Sequence, residues 1–204
     1  MLQFVTNTKS ATPVKDQIIS VIKGGCRWVQ INMPDSSDEE IKKVVEEVKP
    51  LCEEKGVFLI MAHKVDLAKE CNVGGVDLSK DDVPPSKARM LLGPAAVIGV
   101  TVNSLADVLA VSQLDIDYYT IAPFKTSDEK DSLGLNGIRK ICFEMEEKEV
   151  NIPHVAAGGI TADDVLSLIE AGVNGIAVSK AIACAEDIEK ETEKFISLLP
   201  KTED

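Results

Sequence analysis

Aromatic residues are scarce in this sequence, with one Trp, two Tyr and five Phe among 204 residues. The apolar residues are instead mostly Val, Ile, Leu and Ala, which is typical of buried parallel strands and the helices that cover them. A chain of this length can bury one full hydrophobic core. The composition therefore favours an α/β protein with a single domain over residues 1–204.

Positive charge is also scarce, since 22 Lys and Arg stand against 34 Asp and Glu, for a formal net charge of −12. Nucleic acids and anionic membranes are bound through a basic face, so we expect neither as a partner. No apolar run reaches the length of a membrane span, and we expect no signal peptide. An acidic protein binds small phosphates through a local pocket of Lys side chains and backbone N–H groups, and small-molecule phosphates are the ligands we expect.

The cysteines show no CxxC pair and no zinc-type spacing. They are Cys26, Cys52, Cys71, Cys142 and Cys184. Because their number is odd and their surroundings are mostly apolar, we expect free thiols in a reducing cytoplasm.

Short β-type runs alternate with longer helical runs along the whole chain. The predicted strands are 2–6, 27–31, 57–61, 75–78, 96–100, 118–122, 154–157 and 175–178. The predicted helices are 12–23, 37–55, 65–70, 85–92, 105–113, 136–148, 162–171 and 185–198, with Ser104, Asn136 and Thr161 as N-caps. Eight such units with right-handed crossovers close into a (β/α)8 TIM barrel, which has no sheet edges. A doubly wound open sheet is the alternative, but it calls for a glycine-rich turn after the first strand, and none is present.

The active site of such a barrel lies at the carboxyl ends of its strands. Gly158 and Gly159 follow predicted strand seven, where glycines let the backbone approach an anion and the next helix offers unpaired N–H groups. Ser179 and Lys180 follow strand eight and add a hydroxyl and an ammonium group. These two segments predict a phosphate site, the alternative being that the glycines only turn a tight corner.

Two further segments place polar groups at the same end of the barrel. The loop after strand six contains Thr126, Ser127 and Lys130, which suit anion binding, although a surface loop without a role has a similar composition. Asp81 and Asp82 follow strand four. Paired carboxylates suit magnesium, which also bridges substrate phosphates. The alternative is a charge pair stabilised by a helix N-terminus.

Six collinear segments carry a family resemblance that covers nearly the whole chain. They are Val-Asp-Leu-Ala at 65–68, Gly75–Leu78 with Asp82, Ile-Gly-Val-Thr at 98–101, Asp-Tyr at 117–118, Ala-Ala-Gly-Gly-Ile at 156–160 and Gly-Val-Asn-Gly-Ile-Ala-Val at 172–178. Their order and spacing resemble thiamine-phosphate synthase and its relative, the thiazole tautomerase. The resemblance implies a transferase that joins an aminopyrimidine methyl diphosphate to a thiazole phosphate and releases diphosphate by a dissociative substitution.

The resemblance also implies roles for individual residues. Lys130 matches the lysine that holds the diphosphate and is the implied catalytic residue, with Thr126 or Ser127 beside it. The remaining implied substrate contacts are Gln30 on the pyrimidine side, Asn32, Thr101, and the thiazole-phosphate cradle of Gly158, Gly159, Ser179 and Lys180.

The implied magnesium site consists of Asp82, with Asp81 and His63 as weaker candidates. It is also where the chain departs from the family, because Ala62 and His63 replace an Asn-Asp pair and histidine is a poor magnesium ligand. After strand two, a Gln-x-Arg-x-Lys pattern is represented only by its glutamine, Gln30. The histidine used by the tautomerase branch is replaced by Asn103.

Three hypotheses for function follow from these observations. The first is a divergent thiamine-phosphate synthase. The second is a non-catalytic or regulatory barrel that binds thiazole phosphate, which the missing Arg and Lys favour. The third is another phosphosugar-handling barrel such as an aldolase or isomerase, although no predicted strand interior holds the lysine of an imine-type aldolase. A homodimer is left open, since no pattern points to one.

Overall fold

Eight parallel strands form a closed barrel in the computed structural model, which describes residues 1–200. The strands are β1 (Leu2–Val5), β2 (Trp28–Ile31), β3 (Phe58–Ala62), β4 (Gly75–Leu78), β5 (Val97–Val102), β6 (Tyr118–Ile121), β7 (His154–Ala157) and β8 (Gly175–Val178). Each strand pairs with the next, and β1 closes the barrel by pairing with β8, with Gln3 opposite Ala177. The predicted (β/α)8 TIM barrel is confirmed.

Helices follow every strand and cover the outside of the barrel. They are α1 (Val14–Lys23), α2 (Asp38–Glu54), α3 (Val65–Glu70), α4 (Pro85–Leu92), α5 (Leu105–Val111), α6 (Gly134–Glu147), α7 (Val165–Glu170), α8 (Lys180–Ala183) and α9 (Ile188–Ser197). Two predicted N-caps are confirmed, because Ser104 accepts a hydrogen bond from the N–H of Asp107 at 3.2 Å and Thr161 forms a capping box with Asp164.

The apolar side chains pack in two layers. The larger layer lies between the strands and the helices. The smaller one fills the barrel interior and consists of Trp28, Ile60, Tyr118, Val155 and Ala177. The rings of Trp28 and Tyr118 meet edge to face with centroids 4.9 Å apart. The interior is thus a packed core that supports the carboxyl-end rim from below.

Strand β5 and helix α6 differ from their predicted bounds. β5 extends to Val102, so Thr101 lies within the strand. The prediction of Asn136 as an N-cap is wrong, because α6 begins two residues earlier at Gly134. The N–H groups of Leu133 and Gly134 donate to the carbonyls of Pro123 and Phe124, and these two bonds set the start of the helix.

The last two helical regions also differ from their predicted bounds. The segment predicted as one helix over 162–171 is a 3₁₀ turn, Ala162–Asp164, followed by α7. The last helix, predicted over 185–198, is α9, which begins at Ile188 because the side chain of Asp187 caps it by accepting from the N–H of Lys190. The short α8 directly after β8 was not predicted.

A cavity of about 950 Å³ opens at the amino-terminal end of the barrel, between Trp28, Phe58 and Val97. Its walls are mostly apolar, and the two charged side chains that line it already have partners. Arg27 donates to the carbonyls of Ile22 and Cys26, and Asp117 accepts from Arg89 and from the N–H of Ile98. The cavity is therefore a mostly apolar space at the end of the barrel opposite the carboxyl ends of the strands. Within residues 1–200, no helix is both long and apolar enough to cross a membrane.

Candidate active site

The segments after β7 and β8 lie side by side, because Ala157 pairs with Ala177 in the barrel. Gly158 and Gly159 have φ angles of +100° and +61°, a region that side chains other than glycine rarely adopt. A Cβ atom on Gly159 would also lie 2.8 Å from the carbonyl oxygen of Lys125. Both the backbone conformation and the close approach therefore require glycine at 159.

Several backbone N–H groups on these two segments have no protein acceptor within residues 1–200. They include those of Gly159, Ile160, Ser179 and Lys180. Unpaired N–H groups that converge from two adjacent loops are the usual means by which a backbone holds an oxyanion. The hydroxyl of Ser179 and the exposed ammonium group of Lys180 are on the same segment. The two predicted segments are thus adjacent in the structure and carry unused backbone donors.

Asn7, which the sequence analysis missed, joins this cluster from the loop after β1. Its Nδ2 donates to the hydroxyl oxygen of Ser179 at 3.3 Å. The fully buried Gln17 holds Asn7 in place by accepting from its N–H at 3.0 Å and donating to its carbonyl at 2.8 Å. Because Asn7 donates to Ser179, the hydroxyl proton of Ser179 stays available for a ligand.

The loop after β6 is bound to the loop after β7. The N–H groups of Phe124 and Lys125 donate to the carbonyls of Ala157 and Gly158 at 2.7 and 3.0 Å. The Nζ of Lys125 lies 2.6 Å from Oδ1 of Asp164. Burial would raise the pKa of the Asp164 carboxyl, but the hydrogen bonds from Lys125 and Thr161 together hold that pKa below its ordinary value. Lys125 is thus neutralised by Asp164.

The other predicted residues of this loop lie on its exposed part. The hydroxyl of Thr126 donates to the carbonyl of Asp128 at 2.6 Å, so it stabilises the loop itself. Ser127 is exposed. Lys130 lies in the 3₁₀ turn Glu129–Asp131, and its Nζ forms no ion pair with any described residue. The structure does not bring these three side chains into contact with the glycine segment.

His63 and Asp82 meet at the ends of β3 and β4. The Nδ1 of His63 lies 2.7 Å from Oδ2 of Asp82, and the same oxygen accepts from the N–H and the hydroxyl of Ser79 at 2.7 and 2.9 Å. Burial opposes the ionisation of Asp82, but these donors together lower its pKa. Asp81 is exposed, and among the described contacts its side chain does not bond to either member of the pair.

Gln30 and Asn32 lie at the end of β2. Gln30 is 9% exposed and shares the inner face of β2 with Trp28, two residues earlier. Asn32 is fixed through its backbone, since its N–H donates to the hydroxyl of Thr6 at 2.8 Å and its carbonyl accepts from that hydroxyl at 3.1 Å.

Thr101 contacts a buried carboxylate that the sequence analysis did not single out. The hydroxyl of Thr101 donates to Oδ1 of Asp77 at 2.8 Å, while the hydroxyls of Tyr118 and Thr120 each donate to Oδ2 at 2.7 Å. The phenol oxygen of Tyr118 in turn accepts from Nε2 of Gln3 at 3.4 Å. Asp77 is 3% exposed, and its burial raises its pKa against the opposing effect of the three hydroxyls.

Comparisons with known proteins identify the family to which the chain belongs. The family described as thiamine monophosphate synthase matches residues 2–182. The chain belongs to this family. The thiamine-phosphate synthase of Bacteroides thetaiotaomicron is 39% identical over 201 residues, which are 97% of this chain and 96% of that protein. That of Pyrococcus abyssi is 30% identical, with 96% and 93% covered. The solved thiamine phosphate pyrophosphorylase from Pyrococcus furiosus superposes with a TM-score of 0.86 at 28% identity, over 97% of this chain and 94% of that one.

Family membership does not favour the phosphosugar hypothesis, and the strands agree. None of β1 to β8 contains a lysine, so the barrel interior of the described chain lacks the imine-forming residue of an aldolase.

The resemblance to this family implies magnesium, an ion that needs several oxygen ligands. Within residues 1–200, no three His, Cys, Asp or Glu side chains come together as a metal site. Asp82 contributes one carboxylate, whose Oδ2 already accepts three hydrogen bonds, and its neighbour His63 is a nitrogen donor. Magnesium prefers oxygen ligands in octahedral geometry. These residues therefore do not fit a magnesium ion held by the protein alone.

Proposed function

We propose that this barrel is a thiamine-phosphate synthase, which joins an aminopyrimidine methyl diphosphate to a thiazole phosphate and releases diphosphate. Membership of the family and near-full-length similarity to proteins of that name support the reaction. The observation that carries the proposal is the cluster of unused N–H groups at Gly159, Ile160, Ser179 and Lys180. Such a cluster suits the phosphate of the thiazole substrate.

The proposed phosphate site is built mainly from the backbone. Gly158 and Gly159 let the loop after β7 come close to the ligand, and the N–H groups of the two loops donate to its oxygens. Ser179 adds a hydroxyl donor whose orientation is set by Asn7. Lys180 supplies a local positive charge. An anionic ligand needs one here because the protein as a whole carries a net charge of −12.

The proposed pyrimidine site uses Gln30, Asn32 and Thr101, which lie at the ends of β2 and β5. In the reaction, the C–O bond to the diphosphate breaks with its electron pair leaving on the diphosphate, and the thiazole nitrogen then donates a pair to the resulting ring-stabilised cation. The protein contributes orientation and charge stabilisation. Lys130 is the proposed catalytic residue, which neutralises the departing diphosphate. The hydroxyl donor beside it is Ser127, or Thr126 once its hydroxyl turns away from the carbonyl of Asp128.

Two further proposals concern magnesium and the cellular location. Magnesium would enter as an ion carried by the diphosphate, with Asp82 as its protein ligand, and no step above depends on it. A cytoplasmic location is supported by the five free cysteines, since disulfides are rare in reducing compartments.

The test is to mix the protein with both substrates and magnesium and to measure released diphosphate. We expect turnover, and we expect Lys130→Ala to lower kcat by roughly 10²-fold, the usual cost of losing one group that stabilises developing charge. Lys140→Ala, on the exposed face of α6, is the matched control and should leave turnover unchanged. Absence of diphosphate release from the wild type would contradict the proposal. If thiazole phosphate still stabilised that inactive protein against heat, the non-catalytic binder would replace it.

A further inference from the structure

We propose that Asp77 is a positioning residue that makes the hydroxyl of Thr101 a hydrogen-bond acceptor toward the active site, so that the site selects a ligand with an N–H donor there. The inference rests on the proposed function for the identity of that donor, which would be the amino group of the pyrimidine. Of these two residues, the family resemblance assigns a substrate contact to Thr101 and no role to Asp77.

The carboxylate of Asp77 lies where side chains from three adjacent strands meet. Asp77 is on β4, Thr101 on β5, and Tyr118 and Thr120 on β6. In the sheet, Asp77 pairs with Gly99, which pairs with Tyr118, and Thr101 pairs with Thr120. Only Thr101 of the three hydroxyl residues is more than marginally exposed, so it is the one that connects this buried group to the rim.

The distribution of protons follows from counting donors and acceptors. Within residues 1–200, the hydroxyls of Thr101, Tyr118 and Thr120 each lie 2.7 to 2.8 Å from an oxygen of Asp77. A hydrogen bond from a hydroxyl to a carboxylate is stronger than one between two neutral groups, and if Asp77 were to donate at Oδ2, the buried hydroxyl of Tyr118 or Thr120 would lose its nearest acceptor. All three hydroxyls therefore donate to Asp77. Tyr118 remains protonated, since burial first and the Asp77 carboxylate second raise its pKa well above the ordinary value.

A threonine hydroxyl has one proton and two lone pairs. Because the proton of Thr101 is directed at Oδ1 of Asp77, only the lone pairs of Thr101 can face the site. A ligand atom at Thr101 must therefore donate. An amino group satisfies this condition, while a carbonyl oxygen at the same position would face another oxygen without a proton between them.

The substitution Asp77→Asn should reverse the direction of the hydrogen bond between residue 77 and Thr101. Tyr118 and Thr120 share Oδ2 while Thr101 alone uses Oδ1, so an asparagine keeps two of the three bonds if its amide nitrogen takes the Oδ1 position. Nδ2 then donates to Thr101, and the hydroxyl of Thr101 must rotate and direct its proton into the site. The substitution is nearly isosteric and turns the acceptor at Thr101 into a donor.

The experiment compares two free pyrimidine rings, one with a 4-amino group and one with a 4-oxo group, by calorimetric titration. We expect the wild type to prefer the amino ring by at least about tenfold, because an unmatched polar pair in a buried site costs this much or more. Asp77→Asn should lower or reverse that ratio. Thr101→Val should abolish the preference, both alone and in combination with Asp77→Asn. Thr120→Val removes a different donor from Asp77 and should retain it.

The outcomes separate the two proposals. A wild type that prefers the amino ring together with an unchanged ratio in Asp77→Asn would overturn the role of Asp77 and leave the proposed function intact. A wild type that binds neither ring would overturn both the pyrimidine assignment and this inference. If Asp77→Asn fails to fold, the Thr101→Val and Thr120→Val pair decides, since equal loss of preference in both would contradict a specific role for Thr101.

Discussion

Gly159 and Gly56 have nearly the same backbone conformation, with φ angles of +61° and +62°, in different surroundings. A Cβ atom on Gly56 would have no heavy atom within 4 Å, whereas one on Gly159 would meet the carbonyl of Lys125 at 2.8 Å. An alanine in this conformation costs about 1 kcal/mol in either place. Only at Gly159 does it also push the loop after β7, which carries donors of the phosphate site, away from the loop after β6.

We expect Gly159→Ala to weaken the binding of inorganic phosphate and of thiazole phosphate by about tenfold or more, because displaced N–H donors lose their hydrogen bonds. Gly56→Ala should lose stability by a similar backbone cost and bind both anions as the wild type does. Isothermal titration and urea denaturation of the two variants measure these effects. Equal phosphate affinity in Gly159→Ala and the wild type would show that the glycine segment is only a turn.

Residue by residue, the sequence predicted backbone donors better than side-chain contacts. Gly158, Gly159 and Ser179 follow adjacent strands, so their proximity is a consequence of strand order alone. The contacts of Asp77 were harder to predict, because its partners Thr101 and Tyr118 come from other strands and meet it only through the curvature of the closed barrel. The available signal was a charged residue in the middle of an otherwise apolar strand, which is rarely buried without partners.

At the scale of elements, the loops after β6 and β7 are joined by the Lys125–Asp164 ion pair. Hydrogen bonds from Lys125 and Thr161 lower the pKa of Asp164 below its ordinary value of 3.8, in spite of partial burial. A carboxylate with a lowered folded-state pKa contributes stability that is present above the unfolded value and is lost as the pH falls through the folded value.

We therefore expect Asp164→Asn to lose about 1 kcal/mol of unfolding free energy at pH 6, in line with a lost cap and a partly screened ion pair. The difference from the wild type should shrink as the pH falls below 3.8. Urea denaturation at several pH values measures it. Asp163→Asn, at the exposed neighbouring position, is the control and should follow the wild type throughout. A difference for Asp164→Asn that is constant with pH would contradict the ion pair.

The elements themselves were predictable where local signals were strong. Apolar runs between polar turns identified all eight strands, and Ser104 identified the start of α5. The errors occurred where tertiary hydrogen bonds decide a boundary. Leu133 and Gly134 bond to the loop before them and start α6 ahead of Asn136, and no local pattern reveals those bonds.

For the whole molecule, the single Trp provides a natural probe of barrel integrity. Trp28 lies in the barrel interior, 9% exposed and packed on Tyr118. We expect its fluorescence to be blue-shifted in the native state and to shift to the red with the same midpoint as the far-ultraviolet circular dichroism signal, because one closed sheet unfolds as a unit. Separate midpoints for the two signals would contradict cooperative unfolding.

Thiazole phosphate at about 100 times its Kd should stabilise the fold by about 2.7 kcal/mol.

The closed barrel was predictable as a whole because eight parallel units leave two exposed edges unless the first strand meets the last. The set of polar side chains that meet at the rim was less predictable. Lys130 and Ser127 follow the right strand yet lie on the exposed part of a long loop, whose path depends on bonds such as that from Phe124 to Ala157.

The proposed phosphate site owes most of its donors to the main chain, and this has a consequence for evolution. A peptide N–H is supplied by every residue except proline, so substitutions at most of these positions leave the site in place as long as the glycines remain. The opposite half of the rim depends on the identity of side chains such as Gln30 and His63, and each replacement there changes its chemistry. Substitutions can thus change the chemistry of one half of the barrel mouth while the backbone donors of the other half persist.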